Sequence, residues 1–349
     1  MTHTHHHSRA WAPLPPTLPE WTIDDHTHVV SVVSYSREQA EEAAARQMPT
    51  VSVYSASELV NLADYVGVRQ IVDVGCTLPE LQPAIDFARA HPGRVFAGLA
   101  IHPTEAVLHG HHGAPGPDGL PVVYEKWHNM PFHEALDRVA HLAKNNPGIV
   151  VTIGETGLDY FRTGEAARGL QRQAFRDHIE LARELDLPVQ IHDRDADADV
   201  VSILLRDGAP PAGTVFHSFA ADAETARIAR EHGWYLSFSG TVTFPSNQRL
   251  REALHVIDID HVLVETDAPY LTPAPWRGRT NAPQMVPYTL QAMAQELGMP
   301  ISELARKTRA NAQRLYHLPD PPEPDKVTDP SANQPVDQSA GHFVKQPTS

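Results

Sequence analysis

Short runs of β-branched and other apolar residues alternate along this chain with longer segments whose apolar positions recur at helical spacing. The short runs predict strands at Trp21–His28, Gln70–Gly75, Val95–Ile101 and Ile149–Gly154, then at Pro188–His192, Thr214–His217, Tyr235–Phe238 and His261–Glu265. Between them, Phe175, Ile179 and Ala182 lie on one helical face, which predicts a helix over Gly169–Leu185. Asp222–His232 reads the same way, and Pro188 marks the return to strand after Leu187. Two further helices, Val286–Leu297 and Ile301–Tyr316, are expected after the last strand. This alternation implies an α/β protein, a closed TIM-type (β/α)8 barrel with extra C-terminal helices. An open doubly wound sheet is disfavoured, because no glycine-rich dinucleotide fingerprint follows the first strand.

The barrel is expected over residues 21–318. Residues 1–20, His-rich and then proline-rich from Pro13 to Pro19, read as a flexible arm. His3, His5, His6 and His7 are therefore read as adventitious, since a disordered arm fixes no coordination geometry. Residues 319–349, rich in Pro, Asp, Gln and Ser, read as a disordered tail. Residues 31–55 and 107–131 read as loop-level insertions after the first and third strands, the first ending at a helix near Ser57 and the second carrying His109, His111 and His112. Val29 and Val30 read as continuations of the first strand. Both insertions follow strand C-termini, so both are expected over the active-site face.

Composition narrows the class. The chain has 349 residues, 41% of them hydrophobic, and no run near the roughly 18 apolar residues that span a bilayer. No secretory signal is evident, so a cytoplasmic location without membrane contact is expected. A single cysteine, Cys76, rules out an internal disulfide framework or a thiolate cluster and reads as a small barrel residue. The net charge of −15 argues against a broad basic surface for gripping nucleic acid. It leaves room for a local contact, because bound cations reverse the sign of a site.

The chemistry lies at the strand ends: Asp24-Asp25-His26-Thr27-His28, His102-Pro103, Glu155 to Asp159, His192-Asp193-Arg194, His217 and Glu265-Thr266-Asp267. In a barrel these ends converge on one mouth. His26 and His28, two apart on a strand, face the same side. A lone His192 or His217 is more often a satisfied polar residue, and a lone Glu155 can pair with an arginine. Together, four imidazoles and two carboxylates crowded without a cation would suffer large desolvation costs. His26, His28, Glu155, His192, His217 and Asp267 are accordingly the candidate metal ligands.

The runs Asp24–His28, Ile101-His102-Pro103, Ile153–Tyr160, Ile191–Arg194, Phe216–Phe219 and Val264–Leu271 resemble the ordered motifs of the TatD family, as do Arg279–Pro283 and Asn311–Leu315 near the C-terminus. The resemblance spans roughly residues 21–316; the 107–131 insertion and both tails lie outside the compact pattern. It implies an amidohydrolase-like barrel with phosphodiester-hydrolysing, often exonucleolytic, activity on DNA. Position by position it implies one metal on His26, His28 and Asp267, a second on His192 and His217, Glu155 bridging, and His102 touching substrate phosphate. Two divalent ions (Zn, Mn or Mg) suit such a set, although four histidines are unusual for a dedicated Mg site. Asp267 is then the natural general base, with Glu155 and His102 the other catalytic candidates. Arg194, Arg277 and Arg279 are candidate phosphate contacts and Trp276 a candidate base contact, each also readable as a loop or ion-pair residue. Asp193 is expected to orient a ligand, Asp24 to do the same or to cap its strand end, and Tyr270 to pack.

DNA is thus the expected substrate, with 3′–5′ trimming the expected mode and no stable protein partner inferred. An ester or amide substrate, such as an aminoacyl-tRNA ester or a lactone, is the alternative within metallohydrolases. A barrel that only binds a partner is the non-enzymatic alternative.

Overall fold

The computed structural model describes residues 11–45 and 52–323. Eight parallel strands pair in sequence order: β1 (Thr22–Thr27), β2 (Val68–Gly75), β3 (Val95–Leu99), β4 (Val150–Asp159), β5 (Val189–Arg194), β6 (Thr214–Phe216), β7 (Tyr235–Phe238) and β8 (Val262–Val264). The ring closes between β8 and β1 through irregular bonds. Asp267 N donates to His26 O at 3.0 Å and His28 N to Ala268 O at 2.9 Å. The buried Asp24 carboxylate accepts from Thr266 N at 2.9 Å and from Thr266 Oγ1 at 2.6 Å. Asp24 therefore fastens the seam. The expected TIM-type barrel is the fold, and all eight strands fall where the hydrophobic pattern puts them, β4 and β5 running further than expected.

Inside the barrel, Ile23, Val72, Val74, Phe96, Val151, Val215 and Leu263 pack together with Leu315 and Tyr316 of the helix Ile301–Tyr316. A second, larger apolar layer lies between the strands and the surrounding helices, with Leu99, Ile153, Phe175, Ile191 and Phe238 fully buried. Each such side chain contributes about 1.5–3 kcal/mol by leaving water. Because side chains alternate along a strand, Val215 and His217 share a face, as do Leu263 and Glu265. The same inward rows are apolar at the bottom and polar at the mouth.

Three expectations are corrected. Val29 does not continue β1: a helix runs from Val29 to Ala45. Its β-branched start is a poor helix former. However, the Asp73 carboxylate of β2 accepts from Val29 N at 2.6 Å, and Val29, Val32 and Val33 bury one helical face. The 31–55 stretch is therefore largely helical rather than a loop, with residues 46–51 outside the described residues. The next helix, Ala56–Tyr65, starts near Ser57 as expected, capped reciprocally by Ser55 and Glu58. The expected N-terminal arm is docked from Trp11 onward: Trp11 Nε1 donates to Ser52 O at 2.7 Å, Leu18 N donates to Val66 O at 3.0 Å, and Leu18 is buried. At the other end, the Pro319 and Pro322 carbonyls accept from Gln70 and Arg69. The four N-terminal histidines and residues 324–349 lie outside the described residues. The 107–131 segment is irregular apart from a short 3-10 turn at Lys126–Asn129, and its helix begins at Phe132. Among the described residues no helix is long and apolar enough to cross a membrane.

Candidate metal centre

Two local irregularities aim the site's side chains. Between Asp24 and Thr27 the register of β1 against β2 slips by one residue, and His26 lies in the slip. β4 slips likewise against β5 between Ile153 and Thr156, at Glu155. Such bulges re-aim a side chain that regular alternation would send elsewhere. Gly157, at φ +140°, makes the second one possible, since a Cβ there would sit 2.1 Å from His192 O.

His26 and His28 project into the mouth with ring centroids 5.2 Å apart. Gln190 Nε2 donates to Asp25 O at 2.8 Å and to Tyr316 OH at 2.7 Å, so its Oε1 faces His26 Nδ1 at 2.9 Å. A carbonyl oxygen there makes His26 Nδ1 the N–H, leaving the Nε2 lone pair free. That Nε2 is buried and, among the described residues, has no hydrogen-bond partner. His28 Nδ1 donates to Val74 O at 2.8 Å, and its Nε2 faces Glu155 Oε1 at 3.6 Å and Asp267 Oδ1 at 3.7 Å. Asp267 sits at φ +51°, a left-handed backbone that a short polar side chain tolerates.

On the opposite side, His192 Nε2 meets Asp159 Oδ2 at 3.1 Å and its Nδ1 meets Glu155 Oε2 at 3.2 Å. His217 Nε2 lies 2.6 Å from Glu155 Oε2, and its Nδ1 lies 3.4 Å from Glu265 Oε1. The His26 and His217 rings stack at 3.9 Å. One ligand atom each from His26, His217 and Asp267, from His26, His28 and Glu155, and from His102, Glu155 and His192 falls within 4.8 Å of the others in its group. The six expected ligands thus meet around Glu155, and His102 joins them. The groups cut across the pairing that the resemblance implies, since His217 also approaches His26 and Asp267.

Protons hold this cluster together. Burial disfavours charge on His192, but Asp159 and Glu155 raise it to about 9. Burial likewise opposes charge on His217 and His28, and in both the nearby carboxylates, Glu155 first, win and raise the pKa. Burial pushes Asp267 up to about 7 and His102 down to about 3, and lowers His26. Burial also acts to raise Glu155, but His217, His102 and His192 hold it well below the usual carboxylate range. A divalent cation would take the place of these protons. The fit rests on the aligned lone pairs and above all on the partnerless His26 Nε2.

His102 caps the short helix Pro103–Ala106, its Nδ1 accepting from Thr104 N at 3.2 Å, which leaves Nε2 as the N–H. Its ring meets that of His192 edge-on at 4.6 Å. Arg194 stacks over Phe161 at 4.1 Å. Arg279 Nη1 donates to Trp11 O at 3.0 Å, with its guanidinium 5.4 Å from the Trp276 ring. Two minor expectations change. Asp193 orients no ligand: among the described residues its oxygens make no hydrogen bond to a ligand-type side chain, and burial followed by Asp197 pushes it up to about 8. Asp159 supports His192 instead. Tyr270 does not pack; it is 61% exposed. Gln190, Glu265 and Asp159 are supporting residues that sequence reasoning left unassigned. Strand alternation could have found the first two, since Gln190 lies two before His192 and Glu265 two before Asp267.

The family model described as TatD related DNase matches residues 23–317. The chain belongs to this family. A Mycobacterium tuberculosis relative named "Uncharacterized metal-dependent hydrolase TatD" is 36% identical over 85% of this chain and 98% of its own length. A relative from Escherichia coli K12 named "Uncharacterized metal-dependent hydrolase YcfH" is 45% identical over 48% of this chain and 63% of that protein, so the match spans less than two thirds of it. Among solved structures, the TatD homolog YJJV of E. coli K12 has a TM-score of 0.65 and 21% identity, covering 85% of this chain and 98% of its own, which speaks to the fold alone.

Proposed function

We propose that this TatD-family protein is a metal-dependent hydrolase that cleaves phosphodiester bonds of DNA, trimming 3′ ends. The observation that carries the reading is the convergence of six ligand-type side chains around Glu155, among them His26, whose buried Nε2 has no hydrogen-bond partner among the described residues. His26, His28 and Asp267 would hold one divalent ion, His192 and His217 a second, with Glu155 shared; zinc, manganese and magnesium are the candidates. Such ions supply an acidified water and neutralise charge on the phosphate. The protein's own groups do the rest. Asp267 takes the proton of the attacking water. His102, neutral with Nε2–H free, donates to a phosphate oxygen, and Arg194 and Arg279 are candidate contacts further along the backbone.

The test is a labelled single-stranded oligonucleotide incubated with chelator-stripped protein reloaded with each metal in turn. Cleavage is expected on reloading, with Asp267→Asn slower by about 100- to 10,000-fold. An intact oligonucleotide under every metal overturns the reading. Cleavage of an aminoacyl ester or lactone in its place would assign the site to carbonyl substrates.

A further inference from the structure

Aromatic rings on the loops around the barrel mouth are mostly covered. Phe161 carries the Arg194 guanidinium at 4.1 Å, Phe244 carries that of Arg277 at 4.3 Å, and Trp276 carries that of Arg279 at 5.4 Å. Tyr270 differs. It is 61% exposed, and among the described residues no guanidinium lies over it. Its ring stands edge-on to that of His28, with centroids 6.5 Å apart, so it borders the ligand cluster. Its backbone is nonetheless firmly held. Tyr270 N donates to Asp267 O at 2.9 Å, and the buried Asn281 amide bonds both the Tyr270 carbonyl and Thr266 O. An aromatic side chain left in water on a pinned backbone, beside a centre that suits phosphate chemistry, is arranged to receive a flat apolar surface.

Resting on the DNA reading above, we propose that Tyr270 is the stacking platform for the nucleobase next to the scissile phosphate. A chain of net charge −15 cannot rely on a basic groove to hold a strand. Base stacking on an aromatic ring is sequence-tolerant, and losing one such platform weakens binding by about tenfold or more. Tyr270 thereby positions the terminal nucleotide without taking part in bond cleavage.

The experiment uses an oligonucleotide with 2-aminopurine as its 3′-terminal base, bound to metal-loaded protein carrying Asp267→Asn so that no turnover occurs. Stacking on Tyr270 should quench the fluorophore. Adding Tyr270→Ala should leave it bright, and Tyr270→Phe should restore the quench. In turnover assays with Asp267 intact, removing the terminal base should reduce kcat/KM about tenfold but make no difference to Tyr270→Ala, whose melting temperature should be unchanged. Quenching and base preference that survive Tyr270→Ala overturn the platform while leaving the DNA reading in place. Failure of the unsubstituted protein to bind or cleave either oligonucleotide overturns the DNA reading, and this proposal falls with it.

Discussion

The two sides of the ligand cluster are built from the same residue type and supported in opposite ways. On the β1 side, His26 and His28 give their Nδ1–H to neutral acceptors, the Gln190 amide oxygen and the Val74 carbonyl. On the β5 and β6 side, His192 and His217 face carboxylates, Asp159 and Glu265. A neutral acceptor fixes ring orientation and tautomer; an anionic one also makes the imidazole a stronger donor. The first side is therefore positioned by geometry and the second enriched by charge, so the β5/β6 side should hold its cation more tightly. Glu155, reaching His28, His192 and His217, couples the two.

The largest effect should come from breaking that coupling. Glu155→Gln keeps the shape and removes the charge, and it should cost more than about 100-fold in activity, beyond the loss typical of a supporting residue. It should also lower the metal content found by elemental analysis, and full retention of both ions would contradict a shared ligand. Next, Asp159→Asn should weaken metal binding on the β5/β6 side by about 10- to 100-fold with little change in melting temperature. Gln190→Leu should do the reverse. It strands the Asp25 carbonyl inside the barrel, while the Tyr316 hydroxyl keeps its bond to Asp25 Oδ2 at 3.1 Å, and should cost about 1–3 kcal/mol of stability. Equal metal affinities for the two variants in a chelator competition would erase the distinction.

The last effect, nil at neutral pH and felt only in acid, concerns a histidine outside both sides. His178 accepts from Ile101 N at 3.0 Å and donates to Ala174 O at 2.8 Å, and burial lowers it to about 4 from an ordinary 6.5. Its folded-state pKa is depressed, so its contribution is complete above about 6.5 and lost as pH falls through 4, up to about 3 kcal/mol. Urea melts across this range should show a flatter acid limb for His178→Gln, and added metal should not alter the difference. A slope unchanged by the substitution would show that His178 is not what titrates.

The strands and the clustering of the ligand-type residues were legible because both obey short-range rules. β-branched runs marked β1 to β8, and strand ends marked the mouth. The first helix was not legible, because Val29-Val30-Ser31-Val32-Val33 has the composition of a strand and becomes helical only when Asp73, from the next strand, caps it. The docking of Trp11 escaped for a similar reason: its anchors are Ser52 and the loop carrying Arg279 and Thr280, distant in sequence. Asp193, expected to orient a ligand, does not support its neighbour His192, whose Nε2 meets Asp159. In the barrel, the neighbouring strand β4 supplies the carboxylate instead.

The seam between the first and last strands has a consequence for how this protein comes into being. Asp24 and Thr266, joined there, are 242 residues apart, and Asp267 stands directly beside His26 only once that join is made. A nascent chain still missing β8 carries five of the six ligand-type residues yet has no closed mouth in which to gather them. The site is thereby withheld until β8 and Asp267 have been made, and a product ending before that strand would carry its ligand-type residues without a mouth to gather them.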